Sequence, residues 1–269
     1  MRWRAAMIDA HCHLDDPGLD PERVVAEARA VGVSDIVMAG VDAAGWRAQR
    51  ALAERIAGVH TVFGIHPQVV PAAACEALEV AYVALEQAIV AARPVALGET
   101  GLDRLSPATK STYDTQVLAF REQLRLAHRF ELPVVLHLLR ADEGALRVLK
   151  EEKLPAAGGV VHSFSGSADF ARQLLALGLH LSFAGTLTFP QSRRLREAAA
   201  ACPRDRLLVE TDTPDQTPVP HRGERNRPAL LPLVVEALAA VRGWSVAETA
   251  AITADHARRL FGLAARSAT

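Results

Sequence analysis

MIDAHCH, residues 7–13, is the stretch on which the fold turns. An apolar run ends in two histidines spaced two apart. Side chains at i and i+2 of a strand share a face, so His11 and His13 can reach one ion while Cys12 points the other way. Asp9 is read on that same face one layer deeper, as a carboxylate orienting a histidine. The competing reading makes it a hydrogen-bonded core residue. The layout recurs along the chain. Glu99 follows VALG (95–98), His137 follows LPVVL (132–136), His162 follows GGVV (158–161), and Asp212 closes LLVETD (207–212). Chemistry-bearing side chains at the carboxyl ends of short apolar strands are the layout of a (β/α)8 TIM barrel, an α/β fold.

Working outward, strands are expected near 7–11, 34–40, 60–65, 94–98, 133–137, 158–162, 179–184 and 206–210. They are rich in Val, Ile and Leu, as parallel strands covered on both faces are. Helical segments lie between them. Asp20 caps one ahead of Pro21 and Glu22. Residues 112–130 place Val117, Phe120, Leu124 and Ala127 on one face. Gly32 and Gly178 stand where left-handed caps belong. Residues 213–228 hold Pro214, Pro218, Pro220 and Pro228 with three arginines, a long loop at the barrel mouth. Two C-terminal helices, 229–241 and 246–262, finish the chain, the second opened by a capping box from Ser245 and Glu248. The expectation is one barrel domain over residues 1–269 with two C-terminal helices, since ~250 residues is normal for such a barrel.

Composition narrows the classes. Half of the 269 residues are apolar and net charge is −1, so no global basic field drives tight binding to long duplexes. All but three of the 30 cationic side chains are arginine, the lysines being Lys110, Lys150 and Lys153. Arginine favours forked contacts with phosphate or carboxylate. Cys12, Cys75 and Cys202 form no CxxC pair, which fits a reducing cytoplasm. The first ten residues carry no signal-peptide pattern, and no apolar run is long enough to span a membrane. Neither a membrane nor an obligate protein partner is expected.

Closure of a barrel sets strand eight beside strand one, so Asp212 joins His11 and His13. Strands five and six are neighbours and pair His137 with His162. Glu99 reaches across from strand four as a bridge. The expected cofactor is two divalent metal ions (Mg, Mn or Zn), with ligands His11, His13, Glu99, His137, His162 and Asp212. Asp212 and Glu99 are read as catalytic, Asp212 taking a proton from a metal-activated water. His66, Arg140 and Asn226 are expected to touch substrate. Weaker candidates are Asp103, Ser163, Ser165, Arg222, Arg225 and Arg227, each with an ordinary turn or surface role as the alternative. His60, His128 and His180 read as structural.

These motifs resemble the TatD family of metal-dependent deoxyribonucleases. The matching blocks are IDAHCHLD, GIHPQ, ALGETGLD, LPVVLHLLRADE, VVHSFSG, LSFAGTLTF, LLVETDTPD and the RNRP-to-LFGL tail, over about residues 7–262. The resemblance implies a two-metal phosphodiesterase with the six ligands named above, and nucleic acid (DNA, as single strands or ends) as substrate. The chain departs from the family pattern at Gln68, Arg104, Leu139 with Arg140, Arg227, and His256-Ala257, all read as substrate contacts. The alternative is a barrel hydrolase acting on a C–N or C–O bond, such as a cyclic amide, lactone or D-aminoacyl ester. Many of those enzymes bridge their metals with a modified lysine where this chain has Glu99.

Overall fold

A computed structural model describes residues 6–71 and 76–264. Cys75 and the first five residues, on which the thiol count and the leader reading partly rested, lie outside them. The chain runs β1 (Met7–Cys12), α1 (Pro21–Ala30), β2 (Val33–Met38), α2 (Ala43–Arg55), β3 (Val59–His60), β4 (Val62–Phe63), α3 (Glu76–Ala92) and β5 (Ala96–Asp103). It continues through α4 (Pro107–Ser111), α5 (Tyr113–Phe130), β6 (Val134–Leu139), α6 (Asp142–Glu152), β7 (Gly159–Val161), α7 (Ala168–Ala176) and β8 (His180–Phe183). It ends with α8 (Arg193–Ala201), β9 (Leu207–Val209), α9 (Leu231–Arg242) and α10 (Val246–Phe261). No single helix among the described residues is long and apolar enough to cross a membrane.

All strand pairs are parallel, in the orders β1-β2-β3 and β4-β5-β6-β7-β8-β9. Strands β3 and β4 are the two halves of barrel strand three, interrupted at Thr61, so the orders join into eight barrel strands. The remaining seam lies between β9 and β1. There Asp212 N–H donates to the His11 carbonyl at 3.0 Å and His13 N–H to the Thr213 carbonyl at 2.8 Å. The cylinder is therefore closed, and the expected (β/α)8 barrel is the observed one.

Alternation along the strands sorts the core. Ile8, Val37, Val62, Ala96, Val135, Val160 and Leu208 form an inner cluster, and Ala254, Ala257, Leu260 and Phe261 of α10 plug it from the amino-terminal end. Met7, Ile36, Leu97, Leu136, Val161 and Val209 face outward into the larger cluster shared with the surrounding helices. Helix α5 buries Phe120, Leu124 and Ala127 there, as its periodicity requires.

Local rules act as expected at most helix ends. The Asp20 side chain accepts from Arg23 N–H, and Gly32 and Gly178 both take φ +95°. The Ser245 capping box is only half built. Its side chain accepts from Glu248 N–H at 3.2 Å, but the Glu248 carboxylate takes Arg204 at 2.7 Å instead. Strand four outruns its expected end at residue 98 and continues to Asp103. A bulge between Gly98 and Thr100 sets Glu99 out of register with β6. Close approach of three backbones makes this possible. A Cβ on Gly64 would lie 2.5 Å from the Gly98 carbonyl carbon, and one on Gly40 2.4 Å from the Gly98 oxygen. Buried glutamines of α5 hold the neighbouring strand ends. Gln123 grips both backbone groups of Ile65, at 2.7 and 3.1 Å, and Gln116 accepts from Asp103 N–H at 2.8 Å.

Candidate metal centre

Glu99 is 1% exposed and stands at the middle of the mouth. Its Oε2 faces His11 Nε2 at 3.1 Å and His13 Nε2 at 3.5 Å. Its Oε1 faces His162 Nε2 at 2.7 Å and His137 Nδ1 at 3.1 Å. Asp212 Oδ1 completes the first set, 3.7 Å from His11 Nε2 and 3.8 Å from His13 Nε2. All six residues expected as ligands thus converge, one Glu99 oxygen turned to each histidine pair. Three overlapping groups of their atoms, and of His66, are compact enough to hold a metal ion. The donors fit such an ion on a direct test: His11 Nε2 and Glu99 Oε2 are buried without a hydrogen-bond partner. Leaving such atoms unpaired is costly unless a cation satisfies them. Nitrogen and carboxylate donors together suit Zn²⁺ or Mn²⁺, and the carboxylates also suit Mg²⁺.

The electrostatics follow from this crowding. Burial alone would raise the Glu99 carboxyl, but the imidazoles of His162, His11 and His66 hold it well below the usual carboxylate range. Burial lowers His162, and Glu99, Glu210 and Asp212 more than reverse that, so its imidazole sits well above its ordinary value. Protons and a cation therefore compete for the same cage.

His66 lies at the cage edge, its Nε2 3.2 Å from Glu99 Oε1. Its ring also caps the short turn Pro67–Val69, with Nδ1 accepting Gln68 N–H at 3.1 Å. That bond puts the proton of the neutral ring on Nε2. His66 therefore presents a donor to the cavity rather than a free lone pair, although its position alone would admit it to a metal cluster.

Two expected substrate contacts are placed elsewhere. Asn226 is 1% exposed and lies beneath the loop. Its amide nitrogen donates to the Thr211 and Asp215 carbonyls at 2.7 and 2.6 Å, and its Oδ1 accepts Arg227 N–H at 2.9 Å. The carboxamide is fully used in folding residues 213–228. Arg140 is exposed at φ +53° and does not line the cavity. The loop arginines are also engaged: Arg222 over the Phe189 ring at 4.7 Å, Arg225 on Asp16, and Arg227 4.0 Å from both Glu27 and Glu224. Ser165 is exposed. Of the departures from the family pattern, Gln68 donates to Asp103 at 2.8 Å, and Arg104 lies over the Tyr113 ring. His256 sits under the barrel, 2.9 Å from the Leu207 carbonyl, and so is no substrate contact.

Asp9 corrects the reading of β1. The β1–β2 register shifts between Asp9 and Cys12, and Ile8 and Ala10 belong to the inner cluster. The bulge separates Asp9 from the histidine face. Its carboxylate accepts Thr211 Oγ1–H at 2.6 Å and Thr211 N–H at 2.8 Å, stitching the barrel seam. The carboxylates that do back the histidines are Asp103, 3.3 Å from His137 Nε2, and Glu210, 3.5 Å from His162 Nδ1. Glu210 had gone unassigned. Its signal was strand alternation, since Leu208 faces the barrel interior and Glu210 stands two further on. Gln216 was also missed; its amide donates to Asp212 Oδ2 and Ser163 Oγ.

The cavity over the cage holds about 380 Å³ and is lined by Asp15, Asp16 and Asp215 besides the cage residues. Among the described residues, no lysine or arginine lines it. A larger cavity of about 910 Å³ opens at the opposite end, by Lys150, Lys153 and Gly158. It meets the amino-terminal ends of the strands, and no metal-binding cluster found among the described residues lies there.

With a caged, bridged donor set at a barrel mouth, comparison with known proteins is decisive. The model of the TatD related DNase family matches residues 8–262. The chain belongs to the TatD family. Among its relatives, the uncharacterized metal-dependent hydrolase YabD of Bacillus subtilis is 35% identical over 257 residues, covering 95% of this chain and 98% of YabD. The similarly named YcfH of Escherichia coli K12 is 37% identical over 265 residues, covering 95% of each. The crystal structure of YjjV, a TatD homolog from E. coli K12, superposes with a TM-score of 0.89 at 33% identity, covering 96% of this chain and 98% of that one. This TatD-family chain is accordingly a metal-dependent hydrolase.

Proposed function

We propose that this TatD-family hydrolase cleaves phosphodiester bonds, acting on DNA as single strands or ends through a water activated by two divalent cations. The observation that carries the reading is the divided Glu99 carboxylate, one oxygen toward His11 and His13, the other toward His137 and His162. Cations held by these donors would supply an acidified water and offset charge in a phosphoryl displacement. The chain's own groups do the rest. Gln216 fixes the rotation of Asp212 through Oδ2, and the Asp212 carboxylate accepts the water proton. His66 donates its Nε2–H to a substrate oxygen. Among the described residues no lysine or arginine lines the cavity, so a phosphate there would depend on the metal and on His66. We read the cavity of about 380 Å³ as taking an extended end rather than the middle of a duplex.

A second reading has its own support. Asp15 and Asp215 give the rim an acidic character, while Asp16 is paired with Arg225. Such a rim suits a substrate carrying an amine, as a D-aminoacyl ester does. One screen separates the two. Protein stripped with a chelator should cleave neither single-stranded DNA nor bis-p-nitrophenyl phosphate, and Mg²⁺ or Mn²⁺ should restore both. Glu99→Ala and His137→Ala should each lose at least about 100-fold in kcat. Metal-restored turnover of D-aminoacyl esters with none on any DNA would overturn the phosphodiester reading in favour of the second.

A further inference from the structure

We infer that the two halves of the cage hold their cations unequally: the Glu99–His137–His162 position fills first and releases last, with Glu210 and Asp103 as its positioning residues. The inference rests on the two-cation reading above. Its ground is the surroundings of the nitrogens that point away from the cage. His137 Nε2 is 3.3 Å from Asp103 Oδ2, and His162 Nδ1 is 3.5 Å from Glu210 Oε1. Both carboxylates are 0% exposed. Each is held by donors that face an ionised oxygen. Asp103 accepts Gln68 Nε2–H at 2.8 Å and Leu105 N–H at 2.7 Å, and Glu210 accepts Ser163 N–H at 2.6 Å. Asp103 hydrogen-bonds the outer nitrogen of His137, which keeps the proton there and strengthens the inner lone pair as a donor, and Glu210 acts on His162 as a buried charge at 3.5 Å without a hydrogen bond.

The other half lacks this support. Among the described residues, no carboxylate lies within ion-pair distance of Nδ1 of His11 or of His13. The His13 side chain is 23% exposed, against 6% for His162. The spacings agree. Ligands at zinc–nitrogen distance on a tetrahedron are about 3.3 Å apart. His137 Nδ1, His162 Nε2 and Glu99 Oε1 already stand 2.7 to 3.1 Å from one another. In the first half, Glu99 Oε2 stands 3.1 and 3.5 Å from the histidine nitrogens, and Asp212 lies farther off at 3.7 and 3.8 Å. Asp212 gives that half a second carboxylate of its own. Counting Asp103 and Glu210, however, the second half draws on three to the first half's two.

The test is equilibrium Mn²⁺ binding to chelator-stripped, full-length protein, read by electron paramagnetic resonance and elemental analysis, without any substrate. Wild type should bind two equivalents with dissociation constants at least about 10-fold apart. Glu210→Gln and Asp103→Asn should each weaken the tight equivalent by about 10- to 100-fold and leave the weak one in place. His13→Ala should remove the weak equivalent alone. Should Glu210→Gln fail to fold, Gln68→Leu, which only unclasps Asp103, carries the test. Unchanged constants in these variants, or loss of the tight equivalent in His13→Ala, would overturn the inference. A wild type that saturates at one equivalent would instead overturn the two-cation reading beneath it.

Discussion

Thr211 joins the two edges of the barrel through one hydroxyl and one amide, both given to Asp9. Valine at this position keeps the shape and removes the hydroxyl. Asp9 Oδ2 would then be buried without its donor, a loss of about 1–3 kcal/mol. Thr211→Val should shift the urea midpoint to lower concentration by that amount, with an unchanged slope. A midpoint like wild type would mean that the seam does not depend on this bond. Asp9 is also where residue-level reading reached its limit. Counting by twos put it on the histidine face, and the arithmetic failed because the strand carries an extra residue between Asp9 and Cys12. Nothing in MIDAHCH marks that bulge, because it arises from pairing with β2. Glu210 was legible by the same arithmetic, since it follows β9 directly with no register shift, its N–H donating to the Phe183 carbonyl at 3.1 Å.

Among the elements, α10 shows how periodicity names a face without naming its partner. Its length and its Ser245 start were readable, yet its place under the barrel depends on contacts with strands about 50 and 250 residues away. Phe261 and Leu260 fill the inner cylinder from below. Phe261→Ala should cost about 3–5 kcal/mol by opening a cavity there. Turnover per folded molecule should stay near wild type, because the chemistry lies at the other end. Circular dichroism melts with active-site titration would check both parts. Strand four was misjudged for a related reason. Gly98 and Gly101 look like turn signals in isolation, but here they let backbones close in. Gly101 pairs with His137, and its Cβ would lie 2.1 Å from the His137 oxygen.

At the scale of the whole molecule, stability should carry a pH signature set far from the cage. Burial, with Arg206 adding to it, depresses His180 to about 4 from its ordinary 6.5. Between those values the unfolded chain takes up a proton that the folded one refuses. His180 therefore contributes stability that is present above about pH 6.5 and is lost as pH falls toward 4. The chelated His180→Gln variant should lose less melting temperature than chelated wild type between pH 6.5 and 4.5. Equal losses would refute the assignment. The convergence of the six donors was readable from sequence because each ends an apolar run and the barrel dictates which ends meet. The acidic lining was not readable, because Asp15, Asp16 and Asp215 sit in loops whose facing no periodicity sets.

The clasp between Asp9 and Thr211 spans 202 positions of the chain. A ribosome releases β1 long before β9 exists, so His11 and His13 emerge with no Asp212 to meet. The donor set across the seam is complete only when the last strand has docked against the first. A cation at that half of the mouth would therefore find its donors together only at the end of assembly, and a truncated product lacking β9 and the residues after it would lack Asp212.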